Sequence, residues 1–385
     1  MSTAYPPLTE VRKKLKIDWY RCPIDRGKLR ELTARSDVKG LLQSVGHLAL
    51  IAATGTLSIL FFERGLWVPF AFTLWFHGIV FTFVPGLVTH ELSHATVFKT
   101  KWLNELFLRI YSLIGWVNFH HYKRSHTYHH MYTLHPEGDR EVVLPSNPSL
   151  KALRLLQLFT FDVQTMIAVI GGTFKLALTG QFGGFFKPEW SNAIFDTGDP
   201  RDKRQAVNWA RLVVLFHLST LAVGIATGLW MLPVVVSLGT FIGSFWKYFI
   251  GMTMHSGLRD NVPDWRKCAR TIKLDPFSRF IYWNMNFHAE HHMYAAIPCY
   301  NLKKLSKEIA WDMPKPRSLV EAWKEMRYVH KRQKTEPDYQ WDTPVPDHGA
   351  SAHAESPNRT ESENSSSDDS REDLAGSLGD LEPKR

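Results

Sequence analysis

Two apolar runs, Leu41 to Phe62 and Leu66 to Val88, stand almost end to end, interrupted within only by Gln43, His47 and His77 and separated by Glu63, Arg64 and Gly65. Each is about 22 residues long, roughly 33 Å as a helix, which matches a hydrocarbon core about 30 Å thick. A bilayer offers no water to the backbone, so such runs must be helices. Together they predict a spanning hairpin. A second pair follows far downstream, Ala210 to Trp230 and Leu232 to Met252, broken only by Arg211, His217 and Lys247 and joined without charge near Met231 and Pro233. Spans are therefore expected at about 41–62, 66–88, 210–230 and 232–252.

Charge orients the hairpins. Residues 1–40 hold ten bases (Arg12, Lys13, Lys14, Lys16, Arg21, Arg26, Lys28, Arg30, Arg35, Lys39) against five acids, and no apolar signal-peptide core follows them. The linker at 63–65 carries a single base. Basic segments stay cytoplasmic, so residues 1–40 are expected as a cytoplasmic arm skimming the membrane, and four crossings bring the chain back to the same side. Both termini are then cytoplasmic. A pI of 9.3 invites a nucleic-acid role, but the bases lie where a membrane protein needs them, and no nucleic-acid partner is expected. The protein is placed in a membrane, that of the endoplasmic reticulum if the source is eukaryotic.

Ala152 to Phe174 is long enough to cross but contains Arg154, Asp162 and Gln164, each costly in lipid, so it is expected not to span. Leu103 to Val117 repeats its apolar residues at i, i+3, i+4 and i+7 and predicts a short interfacial amphipathic helix. Residues 187–208 form a polar connector. The basic loop 255–287 fits the cytoplasmic side. Residues 41–341 are thus expected as one membrane domain, and 342–385 as a disordered, acidic, Ser-rich tail, with ten acids against four bases from Asp347 onward. Cys22, Cys268 and Cys299 are an odd count on the cytoplasmic side and imply no disulfide framework.

The chemistry lies in the histidines. From His120 to His135, six of sixteen residues are histidine, and His126, His129 and His130 fall at i, i+3 and i+4, one face of a helix. Upstream stand His90 and His94; downstream His288, His291 and His292 repeat the spacing of the middle group, and His255 lies just past the last apolar run. Neutral imidazole binds iron, zinc, copper or nickel, and nine nitrogens are too many for one ion and enough for two. Four crossings also put all nine on one face. The expected fold is an all-α membrane protein of four transmembrane helices in two hairpins, with a cytoplasmic helical cap carrying a histidine-rich dimetal site. Metal-bound imidazoles pass their far N–H to an acceptor, and Glu137, Asp139, Glu141 and Asp260 are the candidate carboxylates. His47 and His77, inside spans, are expected to be neutral and hydrogen-bonded, and His120, His121 and His135 to sit beside the site or at the surface.

His90-x3-His94, His126-x2-His129-His130 and His288-x2-His291-His292, spread over two hairpins, resemble the three histidine boxes of the integral-membrane fatty acid desaturase family, over roughly residues 40 to 310. The resemblance implies a centre of two iron ions, with these eight histidines as ligands, that activates dioxygen and removes hydrogen from an unactivated carbon of a fatty acyl or related aliphatic chain. His255 resembles the further histidine supplied by the family's acyl-CoA members, which carry an asparagine one turn earlier where this chain has Gly251. Related hydroxylases, epoxygenases and acetylenases use the same boxes. Electrons are expected from a separate protein such as cytochrome b5 or ferredoxin with its reductase; His135-Pro136-Glu137-Gly138 is similar to the haem-binding turn of cytochrome b5, but nothing around it forms such a domain. No catalytic residue beyond the metal ligands is implied. His90-Glu91-Leu92-Ser93-His94 also satisfies the His-Glu-x-x-His pattern of zinc proteases, with Glu91 as general base, a reading that leaves seven histidines without a role. A membrane receptor with a structural zinc meets the same objection.

Overall fold

The computed structural model describes residues 6–196 and 199–347. Among them every regular element is helical, and strand pairing is confined to isolated bridges. The expected disordered tail lies outside the described residues beyond 347, while Trp341 still donates its backbone N–H to Gly257 O at 2.8 Å. The basic arm folds as α1 (Leu8–Lys14) and α2 (Arg26–Thr33) and packs on the rest of the chain. Between the two helices, Trp19 stacks on Trp265 at 4.4 Å and the Tyr20 hydroxyl donates to Asp312 at 2.6 Å.

Helix α3 (Asp37–Glu63) and helix α4 (Trp67–Phe81) form the first hairpin, and Gly65 turns it with a φ of 66°. Among the described residues three stretches are helical, long and apolar enough to cross a membrane: Asp37–Glu63, Trp67–Ser93 and Pro200–Thr227. The second is kinked. Pro85 and Gly86 leave helical geometry, Gly86 with a φ of 92° that glycine alone adopts readily, and the chain restarts as α5 (Thr89–Ser93). His90 therefore stands in the first turn of a new helix, set off from the span by the kink. His47 accepts from the Trp283 indole N–H at 2.9 Å and donates to Val80 O at 3.1 Å; His77 donates to Val235 O at 3.0 Å and meets the Thr54 hydroxyl at 2.9 Å. Both rings are satisfied on both sides.

Helix α6 (Lys101–Ile114) buries Phe107, Leu108 and Tyr111 and exposes Trp102. Helix α7 (Phe119–Tyr132) carries the middle histidines, and the Asn118 side chain caps it by accepting from His121 N–H. The polar-spotted segment after Leu150 divides into α8 (Ala152–Phe159) and α9 (Val163–Thr179). Asp162 caps α9 through Thr165 N–H and pairs with Arg154 at 2.5 Å, so the two charges that argued against a crossing neutralise each other. Then come α10 (Pro188–Phe195) and the long α11 (Pro200–Thr227).

The fourth run is not one helix. It breaks between α12 (Met231–Phe241) and α13 (Phe245–Gly251), where Ile242 is extended and Gly243 has a φ of 60°. The break at residues 160–162 lies against it: Asp162 N–H donates to Phe241 O at 2.8 Å and Gly243 N–H to Thr160 O at 2.9 Å. Each interruption satisfies the backbone that the other leaves open. Gly78 on α4 allows this approach, because a Cβ there would overlap the Ile242 carbonyl.

The remaining helices are α14 (Trp265–Cys268), α15 (Pro276–Ile281), α16 (His288–Met293), α17 (Leu302–Glu308) and α18 (Leu319–Arg332). The buried Trp283, Met285, Ile297 and Leu302 of this C-terminal region are continuous with Phe83, Val84, Val88 and Leu92, so it shares one core with the chain that follows the first hairpin. Cys22, Cys268 and Cys299 are buried, free thiols.

Candidate metal centre

The boxes converge and then divide. One group consists of His90, His94, His126, His130 and His291, and a second of His129, His255, His288 and His292; within each group the candidate ligand atoms lie within 4.8 Å of one another. Each long box contributes to both groups. On α7, His126 and His130 are one turn apart and point into the first group while His129 enters the second; on α16 it is His288 and His292 that share the second and His291 that enters the first. The groups touch, with the His130 and His292 rings stacked at 4.3 Å.

The far ring nitrogens fix which way the near ones face. His126 Nδ1 lies 2.8 Å from Glu141, His129 Nδ1 2.9 Å from Asp139, and His90 Nδ1 2.8 Å from Glu91. His255 Nδ1 donates to Cys268 O at 2.8 Å, and His292 Nδ1 to the Thr133 hydroxyl at 3.1 Å, whose own hydrogen goes to His129 O. With Nδ1 protonated, Nε2 offers a lone pair. His255 and His292 both aim such lone pairs at His288 Nε2, at 2.8 and 3.1 Å, and one nitrogen cannot satisfy both. The buried Nε2 atoms of His90 and His94 have no hydrogen-bond partner. A cation in each group resolves these contacts, so the donor set fits two metal ions of the kind imidazole prefers.

Electrostatics prepares the ligands. Burial pushes His126, His130, His288, His291 and His292 well below the ordinary histidine range, which keeps them neutral and able to bind metal. Burial acts the same way on His129 and is the largest single influence, but the Asp139 charge, the Asp139 hydrogen bond and the Glu141 charge together outweigh it and raise that pKa. Burial pushes Glu141 up to about 7. Asp139 is fully buried and also accepts from the backbone N–H groups of Leu134 and Glu141 at 3.0 and 2.9 Å, so it holds the turn after α7 as well as the ring.

Two of the four candidate carboxylates lie elsewhere. Glu137 is exposed and, among the described residues, makes no hydrogen bond to a box histidine. The Tyr132 ring packs where a Cβ of Gly138 would sit, and beyond that glycine Asp139 is buried while Glu137 faces solvent. Asp260 is partly buried and its N–H donates to Gln340, while His255 uses the Cys268 carbonyl. Sequence reasoning missed Glu91 and Thr133 as hydrogen-bond partners of ligand candidates; Glu91 stood inside the first box, but its neighbours suggested only a protease base. It is fully buried, accepts from His90 and lies 3.6 Å from His291 Nδ1, so it orients rings rather than facing a substrate. His121 bonds Ser191 at 2.8 Å, His135 bonds Thr133 O at 3.0 Å, and His120 stacks on Phe119; none joins either group.

The fatty acid desaturase family model matches residues 65–324, about two thirds of the chain and all nine of these histidines. The chain belongs to the fatty acid desaturase family. No curated protein matches it. Membership in that family makes the chain an oxidoreductase of a membrane type, in keeping with the three long apolar helices among the described residues, and the family's two-iron chemistry agrees with the paired imidazole groups.

Proposed function

We propose that this desaturase is a di-iron, dioxygen-dependent enzyme of the membrane that introduces a double bond into a fatty acyl or related aliphatic chain. One observation carries the reading: nine imidazoles, all buried but the half-buried His94, from four distant parts of the chain meet as a group of five and a group of four, with the far nitrogens of His90, His126, His129, His255 and His292 tied down. His90, His94, His126, His130 and His291 would hold one iron, and His129, His255, His288 and His292 the other. Two irons held there would supply dioxygen activation and the oxidant for an unactivated C–H bond. The chain's own residues do the rest. Glu91, Asp139 and Glu141 hold the rings in register, and the buried shell keeps bulk water from the site.

The same convergence supports four crossings. The nine histidines share one side, α11 leaves that side, and the chain must return before His255. Residues 231–251 are the stretch available, and a crossing interrupted at residues 242–244 is tolerated because the break is buried in protein and bonded to residues 160–162. Helices α8 and α9 then form a re-entrant pair whose tip meets that break. Ser149 and Ser146, beside its entry, accept from the Tyr248 and Ser256 hydroxyls, and α9 ends against Val207, so both of its ends lie on the histidine side. That side is cytoplasmic, and electrons come from a separate donor protein.

The test is metal content with product analysis. The purified protein is expected to hold about two irons per chain, and lipids from cells with and without it should differ in an oxygen-dependent unsaturated product. His129→Ala and His291→Ala should each lower iron and abolish that product. Glu91→Gln should retain partial activity, since it removes an orienting group and not a general base. One zinc and no oxygen-dependent product would overturn the reading.

A further inference from the structure

His255 differs from the other histidines of its group. His129 lies on α7, and His288 and His292 on α16, whereas His255 sits in a non-helical turn after α13. A helix holds its side chains by its own hydrogen bonds. A turn has to be held from outside if its ring is to meet a metal within a few tenths of an ångström.

The hold comes from one guanidinium. Arg270, buried to 5% side-chain exposure, donates through Nη1 to Thr253 O at 2.5 Å and to Ser256 O at 3.3 Å, the carbonyls on either side of His255. Its backbone N–H donates to Met254 O at 2.9 Å. Its other two nitrogens grip Glu325 Oε1 at 3.0 and 2.5 Å, and Glu325 Oε2 takes Arg317 Nε at 3.2 Å. Glu325 belongs to α18, which packs along the same turn: Trp323 donates to Phe249 O at 2.9 Å, and Val329 lies 3.4 Å from where a Cβ of Gly257 would be. The planar fork of arginine can serve two carbonyls and a carboxylate at once, which an ammonium cannot.

We infer that Arg270 is a positioning residue for the four-histidine metal, clamping the turn that carries His255, and that Glu325 makes α18 a working part of that metal site. The inference rests on the two-metal reading above. Among the described residues Arg270 makes no hydrogen bond to a metal-binding ring; its hydrogen bonds hold the backbone on either side of His255. Loosening the clamp should weaken the second metal and spare the first, whose five ligands lie on other elements.

The full chain, purified in detergent and loaded with iron(II), provides the test through iron per chain and the rate of release to a chelator. Glu325→Gln and Arg270→Lys should each lose one iron of two, or release it about 10- to 100-fold faster, as His255→Ala does, while the other iron leaves at the wild-type rate. Glu325→Gln keeps the side chain's shape and decides the matter if Arg270→Lys does not fold, with monodisperse elution as the check on folding. Release of both irons at the wild-type rate would sink the inference, and so would equal acceleration of both, which marks a general loosening. A wild-type protein holding fewer than two irons would instead overturn the two-metal reading, and the inference with it.

Discussion

At the scale of single residues, spacing at i, i+3 and i+4 puts imidazoles on one face but does not say which metal each serves. That division, His126 with His130 and His129 apart, follows from how two helices face each other. The carboxylates show the same limit. Asp139 and Glu141 were legible as acceptors, yet nothing local distinguished them from Glu137, because the difference is which side of a turn faces inward. Asp139→Asn and Glu141→Gln should each weaken iron binding about 10- to 100-fold, the usual effect of losing a ligand's hydrogen-bond partner. Glu137→Gln and Asp260→Asn should leave it within about twofold; chelator competition on purified variants reads both. Burial has a further consequence for the metal-free protein. The unfolded chain takes up protons on His126, His130, His288, His291 and His292 below about pH 6.5, and the fold resists them, so stability present above that pH is lost as pH falls through it. Thermal unfolding of the iron-stripped protein should drop by several degrees between about pH 7.5 and about pH 5.5. An unchanged midpoint would show that the rings protonate in place.

At the scale of elements, apolar runs located the first hairpin to within a few residues, α3 beginning at Asp37 where Leu41 was expected. They did not reveal the breaks. Hydropathy reports the environment a segment needs, and residues 232–252 are as apolar as a straight span; continuity depends on neighbours, here the strand-like contact of residues 241–243 with 160–162. The glycines carried the missing signal. Gly78 and Gly239 lie where side chains would collide with Ile242 or His77, and Gly243 adopts a left-handed φ, so three small residues mark a close approach between distant segments. Gly78→Val should cost about 1–3 kcal/mol, since the colliding group is backbone and cannot step aside. Gly171→Ala is the control, with open space around it on helix α9. Lower thermal stability for the first variant and none lost for the second is the expected pair, and a tolerated Gly78→Val would mean that α4 and the break are not in firm contact.

At the scale of the whole molecule, metal chemistry and topology constrain each other. An odd number of crossings between any two boxes would put them on opposite faces of the bilayer, and the nine histidines could not meet. The polar residues of 152–174, the basic arm and the histidine spacing are all visible in the sequence, and parity joins them into one expected arrangement; what parity does not foresee is that residues 160–162 meet the break in the fourth apolar run. The arrangement has a direct consequence for reporter tags placed after Arg64, Gly180 and Pro233. In the proposed topology Arg64 ends the first crossing and should report outside. Gly180 follows α8 and α9, whose charges pair at the tip and whose ends both lie beside the histidine side, so it should report inside. Pro233 stands in the first turn of α12, where the proposed fourth crossing begins, and should report outside. An outside signal after Gly180 would make the re-entrant pair a true crossing, strand His255 and the third box away from the first two, and contradict the convergence of ligand atoms, within 4.8 Å in each group, that defines the site.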